Sequence, residues 1–144
     1  MEENAEAKVW QRVMSQPRQV PLGDPAAMHR ESAALAGVYR WAAERLTGRK
    51  KLLARQLLEA ERSIGASLRG IGRLSGQSVE KVSVWEPGNK GGKGLLEGCY
   101  QRERHCQAEY TARSLDPQFG DVYRHLAEQA GKQCALLTQL LGWE

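Results

Sequence analysis

Apolar residues recur in steps of four and three along four stretches of the chain, the spacing that lays one stripe down an α-helix facing a bundle core. The first stripe is Met28, Ser32, Leu35, Tyr39, Ala42 and Leu46, and the second is Leu53, Leu57, Ala60, Ile64, Leu68 and Ile71, with Glu61 at its margin. The third is Leu96, Cys99, Glu103, Cys106 and Tyr110, and the fourth Phe119, Tyr123, Leu126, Ala130, Gln133, Leu137 and Leu140. Asp24-Pro25 and Asp116-Pro117 each pair a good N-cap with a proline at the first helical position, where its missing N–H costs nothing, so helices are expected to start there. Gly48 and Gly76 are the expected stops of helices over 25–46 and 50–74. Gly65, Gly70 and Gly72 weaken the second helix by propensity but permit close approach by a neighbour.

The links between these helices set their order in space. Only a few residues separate the first from the second, and Leu115-Asp116-Pro117 joins the third to the fourth, so each pair is expected to form an antiparallel hairpin. Between the hairpins lies QSVEKVSVWEPGNKGGK, residues 77–93, with a brief alternation at Val79, Val82, Val84 and Trp85. A connector that long is uncommon in a compact domain. It has a purpose if the second and third helices run parallel, because the chain must then travel the bundle's length, about 30 Å for a 20-residue helix. The alternative, a linker between two independent hairpins, leaves each apolar stripe in water. The expected architecture is all-α: a four-helix bundle over 24–144 with its crossover at about 76–94. It follows an N-terminal segment, 1–23, in which Val9, Trp10, Val13 and Met14 share one face of a short helix.

With 144 residues, 41% hydrophobic and 26% charged, the chain fits one domain that buries roughly two-thirds of its unfolded surface. No run approaches the roughly 18 to 20 apolar residues that span a bilayer, and MEENAEAKVWQRVM is charged throughout, without a signal-peptide core. A cytoplasmic protein with no membrane partner is expected. Cys99, Cys106 and Cys134 all fall on helical stripes and form no CxxC pair, which speaks against a disulfide framework or a zinc knuckle and for small core residues. The formal charge of +4 owes much to Arg45, Arg49, Lys50, Lys51, Arg55, Lys90 and Lys93. These cations are interspersed with acidic residues and accompany no nucleic-acid motif, so the charge bears on solubility and nonspecific attraction rather than on a nucleic-acid partner.

The candidate chemistry begins with Glu103. A carboxylate within an apolar stripe must be neutralised, paired or metal-bound, because an isolated buried charge is too costly. Two helical hairpins with a crossover, each carrying a Glu and a Tyr at matching places, resemble the ferritin-like superfamily and, more closely, its rubrerythrin-type domains, over roughly residues 25–142. That resemblance implies a di-iron centre built from one Glu on the outer helix of each hairpin, a Tyr about seven residues later, and a Glu-x-x-His pair on the helix that follows. ERHCQAEY fits, with Glu103 seven residues before Tyr110. LLEAERSIGASL keeps Glu61, but Ile64 stands where the family has His. Counting back from Tyr39 puts the first ligand at Ser32, with Glu31 one residue off the inward face. LAEQAGKQCALL aligns so that Ala130 and Gln133 replace the last Glu and His. Of six implied ligands, Glu61 and Glu103 remain as residual metal positions, and Ser32, Ile64, Ala130 and Gln133 are vestigial. His29, His105 and His125 lie off the stripes and are expected to face solvent, as is Glu128.

The resemblance then implies a rubrerythrin-like protein that has lost its di-iron centre and serves as a non-catalytic scaffold or binding module, with no catalytic residues and no cofactor. Its partner would be another protein or a second copy, and Trp10, Trp41, Trp85 and Trp143, all outside the stripes, are candidate docking residues or local packing. The alternative is an iron-binding oxidoreductase or iron-handling protein that uses the reduced site. Tyr39 and Tyr110 either donate to the two carboxyls or fill the core as aromatics. Alternatively the two carboxyls share a proton, since like charges held close cannot both ionise cheaply.

Overall fold

The computed structural model describes residues 24–77 and 91–142. They form four helices: α1 (Pro25–Arg45), α2 (Gly48–Leu74), α3 (Gly92–Ala112) and α4 (Gly120–Leu141), with a 3-10 turn, Arg113–Leu115, after α3. The expected short N-terminal helix, the 79–85 alternation, Trp10, Trp85 and Trp143 lie outside the described residues. No described helix is long and apolar enough to cross a membrane.

The expected caps and stops hold at some ends and move at others. Asp24 caps α1, its Oδ1 accepting from the Ala27 N–H at 2.9 Å. Gly48, expected to stop the first helix, instead opens α2 with φ +60, a left-handed conformation that costs glycine no Cβ clash. Gly76, at φ +76, follows the end of α2 as expected. Asp116 keeps its capping role, with Oδ1 accepting from the Gln118 and Phe119 N–H groups at 2.8 and 2.7 Å. Residues 117–119, however, form a turn rather than regular helix, and α4 begins at Gly120. A proline start followed by one tight turn accounts for the shift, since helix ends often tighten before settling into i→i−4 bonding.

Four contacts between helices close the bundle: α1 with α2, α3 with α4, α2 with α4 and α1 with α3. Each pair is antiparallel, because its contacts rise along one helix as they fall along the other. Gly65 lies against His29 while Glu61 meets Ser32. Arg49 meets Gln139 while Leu57 meets Gln133. Trp41 covers Gly92 while Glu31 meets Arg102. Gln107 crowds Gly131 while Ser114 meets Gly120. The backbones of α2 and α3 do not come close; the two helices occupy opposite corners, run in the same direction and meet only through side chains at the centre.

The stripes are the core. Every stripe residue of α3 is buried, and so are those of α1 and α4 except Leu46 and Phe119, which are half-buried. On α2 the periodic reading needs correcting: Ala60 is only half-buried, whereas Glu61, placed at the margin, is buried to 1% exposure. Val38, Ala43, Ala54 and Ala127 widen the stripes, as a bundle helix with two neighbours requires. Of the helix-weakening glycines, Gly65 sits at the α1 interface and Gly72 is buried, but Gly70 faces open space.

Two glycines on the second hairpin separate tight packing from apparent crowding. A Cβ on Gly120 would lie 2.4 Å from the Ser114 carbonyl oxygen, a backbone atom of the turn that cannot swing aside. A Cβ on Gly131 would lie 2.8 Å from Gln107 Nε2, the free end of a flexible side chain. Gly120→Ala should therefore cost about 1–3 kcal/mol in urea unfolding. Gly131→Ala should be neutral or gain up to about 1 kcal/mol from helix propensity. A Gly120→Ala midpoint equal to wild type would refute the tight turn.

Candidate functional site, a carboxyl pair at the bundle centre

Each helix sends one polar side chain to the same place. Ser32 from α1, Glu61 from α2, Glu103 from α3 and Gln133 from α4 are all buried to 1% exposure or less, and together they make up the buried polar residues of the described core. The Ser32 hydroxyl donates to Glu61 Oε2 at 2.5 Å and lies 3.2 Å from the Glu61 carbonyl oxygen. Gln133 Nε2 donates to the Leu57 carbonyl at 2.8 Å and reaches Glu61 Oε1 at 3.4 Å. The carboxyls of Glu61 and Glu103 hydrogen-bond to each other. Ile64 and Ala130 complete the positions expected to converge, and both are buried.

Two acids in such a place hold on to protons. Burial, and then the charge of Glu61, push Glu103 well above the usual carboxyl range. Burial also raises Glu61, against hydrogen bonds from Glu103, Ser32 and Gln133 that favour its ionised form. The pair thus divides its roles: Glu103 is the acid that donates, and Glu61 is the acceptor that three groups surround. Glu103 Oε2, Gln133 Oε1 and the Tyr39 hydroxyl have no hydrogen-bond partner among the described residues.

The surroundings are neutral. Burial holds the Tyr39 and Tyr110 phenols well above their ordinary range, with Glu103 the next cause for Tyr39 and Cys106 for Tyr110. Tyr110 hydrogen-bonds with Cys106, and both phenols are buried in the core. Cys99, Cys106 and Cys134 are buried and free. Burial pushes the Cys99 thiol up to about 12 and raises the other two, so none is a ready thiolate nucleophile or ligand.

The expected solvent-facing residues divide. His125 and Glu128 are exposed, but His29 and His105 are half-buried, because the flanks of a bundle helix are partly covered by its neighbours. The pKa of His29 is lowered by burial and then by Arg69 and Arg30, and its Nδ1 is buried without a partner. Trp41 is half-buried against the core. The pattern did not single out Arg102, which pairs with Glu31 across the α1–α3 seam. A signal was present: Glu31 and Arg102 each precede a converging position, Ser32 and Glu103, by one residue, and so flank the same seam.

This donor set does not fit a di-iron centre. Such a centre in a bundle draws a carboxylate from each of two helices and a Glu-His pair from each of the others. Here the converging residues supply two carboxyls that are bonded to each other, one hydroxyl and one amide. Among the described residues, no group of three or more His, Cys, Asp or Glu is placed to hold a metal ion. Compared with protein families, with curated proteins and with solved structures, the chain finds no match.

The shared proton makes a pH prediction. A carboxyl raised on folding contributes stability that is complete below its unfolded value, near 4.5, and is lost as pH climbs through its folded value. Glu103→Gln keeps a donor toward Glu61 at every pH and does not titrate. The stability of wild type minus that of Glu103→Gln should therefore fall steadily from pH 4.5 upward, measured by urea unfolding across a pH series. A difference that stays constant over that range would mean the two acids do not share a proton.

Proposed function

We propose that this protein is a ferritin-like bundle in which a hydrogen-bonded carboxyl pair stands in place of a di-iron centre, and that it acts as a non-catalytic scaffold or binding module for a protein partner or a second copy. The observation that carries the reading is the convergence of four buried polar side chains, one from each helix, on a single carboxyl, that of Glu61. Glu61 takes its hydrogen bonds from Ser32, Gln133 and Glu103, as a core that has substituted neutral partners for a cation would arrange them. The helix order supports the ferritin-like part. α2 and α3 run parallel at opposite corners, the helix order that superfamily uses.

Rebuilding the site tests this reading. Ser32→Glu, Ile64→His, Ala130→Glu and Gln133→His together restore six converging ligands beside Glu61 and Glu103. Without metal the variant should melt below wild type, because it adds carboxylates and imidazoles to an apolar interior. With Fe(II) or Mn(II) at a hundred times its Kd, binding should return about 2.7 kcal/mol, roughly 2–4 °C in Tm per kcal/mol at this chain length. Wild type should show no such rise. If wild type gains as much as the variant, a working site exists and the iron-binding oxidoreductase or iron-handling reading replaces this one. If neither gains, the ferritin-like register is wrong.

A further inference from the structure

At the end of the bundle where α2 and α3 begin and α1 and α4 finish, a cavity of about 440 Å³ opens between the helices. Trp41, Leu96, Leu140 and Leu141 give it apolar walls, while Arg45, Lys50 and Lys93 stand on its rim and none of the described acidic residues lines it. That size and apolar lining are those of a small-molecule site.

The cations are misplaced for the helices that carry them. α2 and α3 both start without a side-chain cap and without an acidic residue in the first turn. Instead α2 opens Gly48-Arg49-Lys50-Lys51, and α3 opens Gly92-Lys93. The N-terminal end of a helix dipole is positive, so these charges repel it and a bound anion would relieve them. Arg45 is engaged locally, its guanidinium 4.6 Å from the centre of the Trp41 ring and its Nη1 donating to the Trp41 carbonyl at 3.1 Å. Lys50 and Lys93 make no ion pair with a described residue. Gly92 lets the start of α3 lie against the indole: a Cβ there would sit 3.1 Å from Trp41 Cη2.

We infer that this cavity binds a free medium-chain carboxylate, its tail against Trp41, Leu96 and Leu140 and its head between Lys50 and Lys93. One chain suits the volume; the two chains of a membrane lipid do not. The site shares no residue with the carboxyl pair, so it stands or falls independently of the proposed function.

Calorimetric titration of the full chain with decanoate tests the inference, with decanol and decyltrimethylammonium as probes of the same tail without the negative head. Decanoate should bind saturably and at least tenfold more tightly than either. Lys50→Glu/Lys93→Glu should weaken decanoate at least tenfold, while the ligand-free Tm holds or rises because the new charges suit the helix starts. An exposed pair of this kind leaves the core untouched, so loss of binding with an unchanged Tm reads the rim alone. No saturable heat with decanoate, equal affinity for decanol, or unchanged binding by the double variant would overturn the proposal. Binding to anionic phospholipid vesicles without binding to free decanoate would overturn it too, assigning the rim to a membrane surface.

Discussion

Two carboxyl groups in hydrogen-bond contact inside an apolar bundle cannot both carry charge, and the rest of the centre follows from that constraint. Glu103 keeps a proton and gives it to Glu61 as a hydrogen bond, and Ser32 and Gln133 supply the donors that Glu61 still accepts. Because each of these groups rides on a different helix, the interaction ties all four at one level. Apolar stripes alone are tolerant of sliding by a turn, since a leucine packs about as well against the next leucine along. A buried polar contact has one good register, and its misplacement leaves unpaired groups in a low-dielectric interior.

That demand explains the composition around the pair. Small side chains surround it: Cys99 and Cys106 lie one turn either side of Glu103 on α3, and Gly65 on α2 faces Ser32, where α1 and α2 come close enough for a short hydroxyl to reach Glu61. Tyr39 and Tyr110 are held neutral by burial and fill core volume beside the pair, adding no charge to it. The free thiols stay protonated for the same reason.

The helices were legible in the sequence because their stripes recur with one spacing, and because Asp24-Pro25 and Gly76 carry local chemistry that acts before tertiary contacts form. Gly48 was misread as a stop because a glycine with positive φ serves a helix start as readily as an end. Glu61 was placed at the margin because its neighbour Ala60 fits the apolar period better, and only the arrival of Ser32, Glu103 and Gln133 from other helices makes a carboxyl the better tenant. Those partners lie 29 and 72 residues away for Ser32 and Gln133. Ser32, Glu103 and Gln133 were readable as polar members of the apolar stripes. What they do to one another was not, since proton sharing depends on distances that periodicity does not contain. The cavity at the end of the bundle left no pattern either, because its walls come from ordinary stripe residues and its rim from cations that read as solvated surface.

The α1–α3 seam carries a consequence for rates. It is held at Glu31–Arg102 and at Trp41–Gly92, and Arg102 is the chain neighbour of the protonated Glu103. Glu103 is buried to 1% exposure, so water reaches it only by parting helices. The Glu31–Arg102 pair thus lies on the seam beside the buried acid. After a sudden change of pH the interior re-equilibrates on the timescale of helix breathing, while the surface carboxylates have long since finished, giving the molecule a short memory of the solution it came from.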